Sequence, residues 1–174
     1  LLPRVGWTRV SFASGGAPRP REDHVLVPIS PQLMVLFGGA TEAQHGGTEE
    51  LECLVDVALV RVTNGLAQWS KGKAFPGTCR TGMSAVAVGD PRDSRQKMVV
   101  GFGKTYLEDG TAVFFNDMYL YDAVRNSWER LKAASDDMPA GRAYQTAAYV
   151  PETHAVYVYG GQWSEEAEGV LGDL

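Results

Sequence analysis

Four residue markers keep one order at nearly one spacing along this chain, and that repetition constrains the fold more than any single motif. Trp7, Trp69 and Trp128 recur after 62 and 59 residues, and Arg21, Arg80 and Arg142, each shortly after a Pro, recur after 59 and 62. Asp56, Asp117 and Asp173 recur after 61 and 56 residues. The fourth marker closes an apolar run: Leu36-Phe37-Gly38-Gly39, Gly101-Phe102-Gly103-Lys104 and Val158-Tyr159-Gly160-Gly161, with Gly38, Gly103 and Gly160 spaced 65 and 57 apart. In this alignment Gly39 and Gly161 are second glycines, and Lys104 replaces the second glycine of the middle copy. A period of about 60 residues marks a repeat architecture, in which each copy is one supersecondary unit unable to bury its apolar face alone.

Within each copy the local pattern is that of strands. Segments 83–89 (MSAVAVG), 97–103 (KMVVGFG), 117–121 (DMYLY) and 154–159 (HAVYVY) are short, rich in Val and Tyr, and bounded by Gly, Pro, Asp or Asn. The stretches 49–60 and 163–170 sustain no capped apolar period of 3.6 residues, so neither is predicted as a helix. Glycine at the end of a strand permits positive φ or close approach of another backbone. The recurring Trp supplies apolar area for packing one copy against the next.

The first half of one copy reads Arg142-(x)17-Gly160-Gly161, and the second half of another reads Asn116-Asp117-Met118-Tyr119-Leu120-Tyr121-Asp122-(x)5-Trp128. This order resembles the kelch repeat, and the resemblance covers essentially the whole chain. It implies an all-β fold, a partial kelch-type β-propeller with four-stranded antiparallel blades. It places 1–12 as the outermost strand of a preceding blade, 19–72 and 80–131 as blades, and 142–174 as an incomplete blade. The period exceeds the roughly 50 residues usual for kelch, and Val55 and Ala58 stand where the next copy has Asn116 and Tyr119. Closed propellers take about four to eight blades, so the sequence reads as part of a ring completed by blades from the same or another chain.

Composition narrows the function classes. Across 174 residues the net charge is −5, and no basic run appears, which argues against a nucleic-acid partner. No apolar run approaches the roughly 20 residues of a membrane-spanning helix, so no membrane partner is expected. The two cysteines, Cys53 and Cys79, lack metal-ligand spacing and any further cysteines with which to build a framework; they suit a reducing, cytoplasmic compartment. Gly101-Phe102-Gly103-Lys104-Thr105 imitates the end of a phosphate-binding loop, but Met98 stands where the upstream Gly is required. His24, His45 and His154 form no ligand spacing, and no nucleophile–base constellation is legible. No catalytic residue, metal or cofactor is assigned.

The loops carry what functional information remains. Successive turns of an antiparallel meander alternate between its two ends, so the insertions 40–52, 104–115 and 162–170 share one face with the connections between blades. The insertions hold Glu42, Glu49, Glu50, Glu52, Glu108, Asp109, Glu165, Glu166 and Glu168 against Lys104 alone. The connections hold Arg19, Arg21, Lys71, Lys73, Lys132 and Arg142, partly offset by Glu22, Asp23, Asp136 and Asp137, predicting an acidic zone beside a basic one. The opposite face carries the polar turn 90–97, which a hairpin connection explains. A protein partner is expected on the long-loop face, with Trp163, Tyr106, Lys104, Arg19 and Lys73 as contact residues, since exposed loop aromatics are over-represented among binding hot spots. The expected role is a protein–protein interaction scaffold or adaptor. The alternatives are a propeller attached to a phosphatase or oxidase domain, and a structural subunit of a large assembly; fold alone does not choose.

Overall fold

A computed structural model describes residues 6, 8–14, 16–45, 48–89, 97–135, 138–165 and 169–173. Trp7, residues 90–96 of the charged turn, Asp136, Asp137, Glu166 and Glu168 lie outside the described residues. Every helix or strand element among the described residues is a strand. Strand β1 (Ser11–Ser14) precedes β2 (Val25–Ser30) and β3 (Leu33–Phe37); a hairpin of β4 (Ala40–His45) and β5 (Thr48–Cys53) follows, then β6 (Val57–Thr63) and β7 (Leu66–Lys71). The second copy repeats this with β8 (Ser84–Val88), β9 (Lys97–Gly101), the hairpin β10 (Lys104–Tyr106) and β11 (Ala112–Phe114), then β12 (Met118–Asp122) and β13 (Ser127–Arg130). The third contributes β14 (Thr146–Val150) and β15 (Ala155–Tyr159).

The sheets run in the orders β1-β7-β6-β3-β2, β13-β12-β9-β8 and β14-β15. Each four-strand meander is antiparallel, and β1 adds a fifth strand parallel to β7, with Ser11 opposite Leu66. Part of the segment 1–12 therefore lies, from Ser11, on the outer edge of the first sheet. The second strands, β3 (LMVLF) and β9 (KMVVG), are almost continuously apolar and buried, the pattern of strands covered on both faces. Pro28 is tolerated because β2 is an edge strand, where the missing N–H breaks no ladder bond. Asn64-Gly65, both at positive φ, close the two-residue turn between β6 and β7.

The core lies between the first two sheets. Val27, Val35, Phe37 and Val57 of the first meet Met83, Met98, Val100, Tyr119 and Tyr121 of the second, with Phe75 of the connection between them. The Phe75 ring sits 5.0 Å from Phe37, 4.7 Å from Tyr119 and 5.1 Å from Trp128, and Trp128 lies 4.7 Å from Tyr121. Trp128 thus packs the second sheet against the first.

Three sequence expectations change. The segments 40–52 and 104–115, read as loops, are mostly β-hairpins. The two cysteines, read as unbridged, form a disulfide with Cα atoms 5.7 Å apart, tying the end of β5 to the connection that leads into the second sheet. The support they lent to a reducing compartment is withdrawn. The third change is one of register. At the strand-end turns the consecutive positive-φ pairs are Gly38-Gly39, Phe102-Gly103 and Gly160-Gly161, so Gly103 matches the second glycine, Phe102 takes the place of the first, and Lys104 opens β10. A Cβ at Gly39, Gly103 or Gly161 would lie 2.3 to 2.8 Å from the carbonyl oxygen of Glu22, Thr81 or Ala143. At the first position space is less restrictive, the nearest atom to an added Cβ being the flexible Met83 methyl at 2.9 Å for Gly38 and the Leu171 carbonyl oxygen at 3.5 Å for Gly160, and Phe102 adopts φ 64° there while its ring is buried.

Candidate functional site

The marker residues converge in space. Arg21 donates to the Gly38 carbonyl at 3.1 Å and grips both carboxylate oxygens of Asp56 at 2.7 and 2.8 Å. Arg142 repeats this with the Gly160 carbonyl at 3.1 Å and Asp173 at 2.6 and 2.8 Å. Arg80 bonds the Phe102 carbonyl at 3.0 Å and Asp117 at 2.7 Å, with its guanidinium 4.3 Å from the Phe115 ring centroid. Arg21 and Arg80 therefore tie the strand-end turn to the start of the third strand, at β6 and β12, and Arg142 ties the corresponding turn to Asp173. Hydrogen bonds from Arg21 and Arg142 hold the carboxyls of Asp56 and Asp173 below the usual carboxylate range. All three Arg side chains are buried.

This arrangement aims the hairpins. Immediately after each second glycine the chain makes a bridge to the residue following the Arg: Ala40 to Glu22, Lys104 to Thr81, Gln162 to Ala143. The three insertions consequently leave their sheets from equivalent places on one face. The third is closed by a Gln162–Val170 bridge and by Trp163 N–H donating to the Gly169 carbonyl at 2.9 Å.

Where the second and third insertions meet, Lys104 is 5 % exposed, and its ammonium donates to Glu165 at 2.6 Å and to the Tyr106 hydroxyl at 2.9 Å. Tyr106 in turn donates to Glu165 at 3.1 Å. The ammonium lies 5.1 Å from the ring centroids of both Tyr106 and Tyr144. Burial opposes the lysine charge, but the bonds to Glu165 and Tyr106 outweigh it and hold the pKa above the ordinary lysine range. Tyr144, pushed up to about 12 by burial and by its bond to Asp23, stays protonated.

The contact residues expected from sequence fall into different settings. Tyr106 and Trp163 are 54 % and 52 % exposed, and the Lys104–Glu165–Tyr106 network joins the elements that carry them. Lys104 itself points inward and serves as a positioning group. Arg19 is engaged by Glu52 through two bonds of 2.6 and 2.9 Å. Lys73 lies apart: its N–H donates to Asn126 at 2.6 Å and its carbonyl accepts from the Trp128 indole at 2.9 Å. The predicted basic zone does not form around Arg21 and Arg142, which are inside the fold. Sequence reasoning missed Gly82 and Tyr144 and read Asp23 only as a loop charge, although the three share positive φ two residues after each Arg; the repeat register is the signal that links them.

A family model described as the Attractin/LZTR1 beta-propeller matches residues 3–172. Host cell factor 1 from Homo sapiens is 34 % identical over 137 residues, 76 % of this chain and 6 % of that protein. N-acetylneuraminate epimerase from Vibrio cholerae serotype O1 is 28 % identical over 93 residues, 53 % of this chain and 22 % of that protein. The chain therefore spans a small part of these relatives. Among solved structures, one titled "Structure of YjhT" superposes with a TM-score of 0.57 at 19 % identity, covering 83 % of this chain and 35 % of that one. A copper-containing fungal alcohol oxidase of the AA5 family superposes at 0.62 with 16 % identity, covering 90 % and 31 %. These likenesses establish the propeller fold.

Proposed function

We propose that this chain, which belongs to the Attractin/LZTR1 β-propeller family, is a protein-interaction scaffold whose partner docks on the hairpin face. Kelch-type propellers commonly serve as interaction modules, and the match to Host cell factor 1 fits that role. The observation that carries the reading is the Lys104–Glu165–Tyr106 network, in which a buried lysine holds two part-exposed partners. It fixes the second hairpin against the third insertion and leaves Tyr106 and Trp163 half-exposed beside it. Rigid, part-exposed aromatics dock at low entropic cost and can contribute about 2 kcal/mol or more each. Three sheets do not close a ring; further blades, of this or another chain, complete it in this reading.

The test is partner binding by the full-length protein carrying Trp163→Ala or Tyr106→Ala, with Arg125→Ala as a control at a β12–β13 turn. A loss of about thirtyfold, the equivalent of about 2 kcal/mol, is expected for either aromatic and little change for the control. The reverse pattern places the partner elsewhere. The match to a protein named as an epimerase favours a second reading, in which the propeller belongs to an enzyme. Turnover by the full-length protein, abolished by substitutions within this chain, would establish it. Compartment follows the state of Cys53 and Cys79: an intact bond in the native protein means an oxidising compartment, and two free thiols restore the intracellular placement.

A further inference from the structure

We infer that the hairpin face receives a cationic, extended segment of its partner in which Lys or Arg side chains alternate with apolar ones; the inference rests on the reading of that face given above. Charge is the first argument. Segments 40–53, 104–115 and 162–170 hold nine carboxylates and a single basic residue, Lys104. That lysine is buried against Glu165, Arg19 is clamped by Glu52, and Arg21 and Arg142 are consumed inside the fold by Asp56 and Asp173. Glu42, Glu108 and Asp109 remain exposed on the hairpins. A negatively charged segment would meet this uncompensated field, and a wholly apolar one would strip water from the carboxylates without replacing it.

Shape is the second argument. At the base of the first hairpin a cleft of about 340 Å³ opens, with Glu22, Glu42 and the Asp56-paired Arg21 on its walls and the apolar side chain of Leu51, 64 % exposed, at its edge. A basic side chain could lay its aliphatic stem along the leucine and present its charge to the carboxylates. The exposed faces of Tyr106 and Trp163 attract further cations. The fold already contains the same recognition in miniature: the Lys104 ammonium sits between two tyrosine rings with a glutamate at 2.6 Å.

The experiment uses the full-length protein and three fluorescent synthetic nonapeptides in which Leu alternates with Arg, with Glu or with Ser, measured by anisotropy at 50 and 300 mM salt. The Arg peptide is expected to bind at least tenfold tighter than the Glu peptide and to weaken at least fivefold at the higher salt. The triple variant Glu42→Gln/Glu108→Gln/Asp109→Asn, whose amides keep the local acceptors, should lose at least fivefold in affinity for the Arg peptide with an unchanged melting temperature. Trp163→Ala should weaken it as well. Equal or tighter binding of the Glu peptide, or undiminished binding by the triple variant, overturns the inference. Cross-linking of the native partner separates the two levels: a footprint on the hairpin face by a segment that is not basic defeats this inference alone, and a footprint elsewhere defeats the docking face with it.

Discussion

The Tyr144 hydroxyl donates to the Asp23 carboxylate at 2.7 Å, joining the third sheet to the first across the second. The ring crosses directly over Gly82, where an added Cβ would lie 2.9 Å from the Tyr144 ring. The three residues are also stitched by backbone, Gly82 N–H to the Asp23 carbonyl at 3.2 Å and Tyr144 N–H to the Gly82 carbonyl at 2.7 Å. Substituting Gly82→Val should therefore both strain a backbone at φ 61° and displace the tyrosine. A loss of about 1–3 kcal/mol is expected by denaturant unfolding, whereas Tyr144→Phe, which keeps the ring, should cost no more than about 1.5 kcal/mol. Equal effects would mean that the ring's position over Gly82 is not what matters.

The two glycines of the strand-end turn should respond differently. Gly39→Ala drives a Cβ to 2.3 Å from the Glu22 carbonyl oxygen, a backbone atom, while at Gly38 the nearest atom, at 2.9 Å, is the terminal methyl of Met83. Gly39→Ala should cost more than about 3 kcal/mol and Gly38→Asn about 1 kcal/mol, since Asn tolerates positive φ. Urea unfolding of the two variants decides the ranking.

Removing Arg80 leaves Asp117, only 17 % exposed at its side chain, without its main cation. Arg80→Ala should cost about 3–5 kcal/mol. Arg19→Ala, which breaks a solvent-exposed pair with Glu52, should cost about 0–1 kcal/mol. Comparable losses would show that burial does not distinguish them.

Acid should act through Asp56 and Asp173, whose folded pKa values are depressed by Arg21 and Arg142. A carboxyl depressed in the folded state contributes stability that is fully present above its unfolded pKa, about 3.9, and is lost as pH falls through the folded value. Melting temperature should thus change little through these groups above about pH 5 and decline below about pH 4. The decline should be shallower in Asp56→Asn/Asp173→Asn. An unchanged acid slope in that variant would place the sensitivity elsewhere.

The Cys53–Cys79 bond closes a loop with a sequence separation of 26. On the chain-entropy relation its removal costs roughly 3–4 kcal/mol. Unfolding of the Cys53→Ser/Cys79→Ser variant against the oxidised protein measures it directly, and thiol labelling under native conditions reports whether the bond is present. Identical stability would show that the cross-link does not restrict the unfolded chain.

Strand positions were legible because β9, β12 and β15 concentrate Val, Met, Leu and Tyr between turn residues. The hairpin β4–β5 was not, since ATEAQH and TEELEC offer neither β-branched density nor a clean alternation; their pairing is imposed by the bridge at Ala40. The cysteine pair was hidden because a separation of 26 residues says nothing of distance until two neighbouring sheets are packed. The one-residue slip at Phe102-Gly103 arose because only the first position of the turn tolerates a side chain, a distinction set by the Thr81 carbonyl in space. Tyr106 and Trp163 could be singled out by type and place, whereas Lys104's inward turn depends on Glu165, a residue 61 positions away.

Gly39 N–H donates to the Arg80 carbonyl at 3.2 Å and Gly103 N–H to the Arg142 carbonyl at 2.8 Å, so main-chain bonds join adjacent sheets at the root of each insertion, beside the side-chain packing of the core. Because those bonds involve no side chain, an engineer could exchange the part of the first insertion between Thr41 and Glu52 for a grafted hairpin of another length and keep the root of the junction. A graft must preserve the second glycine at its root, the donor to that glycine's carbonyl, which is the N–H of Leu54 in the first copy and of Phe115 in the second, and in the first copy Cys53 with its bond to Cys79.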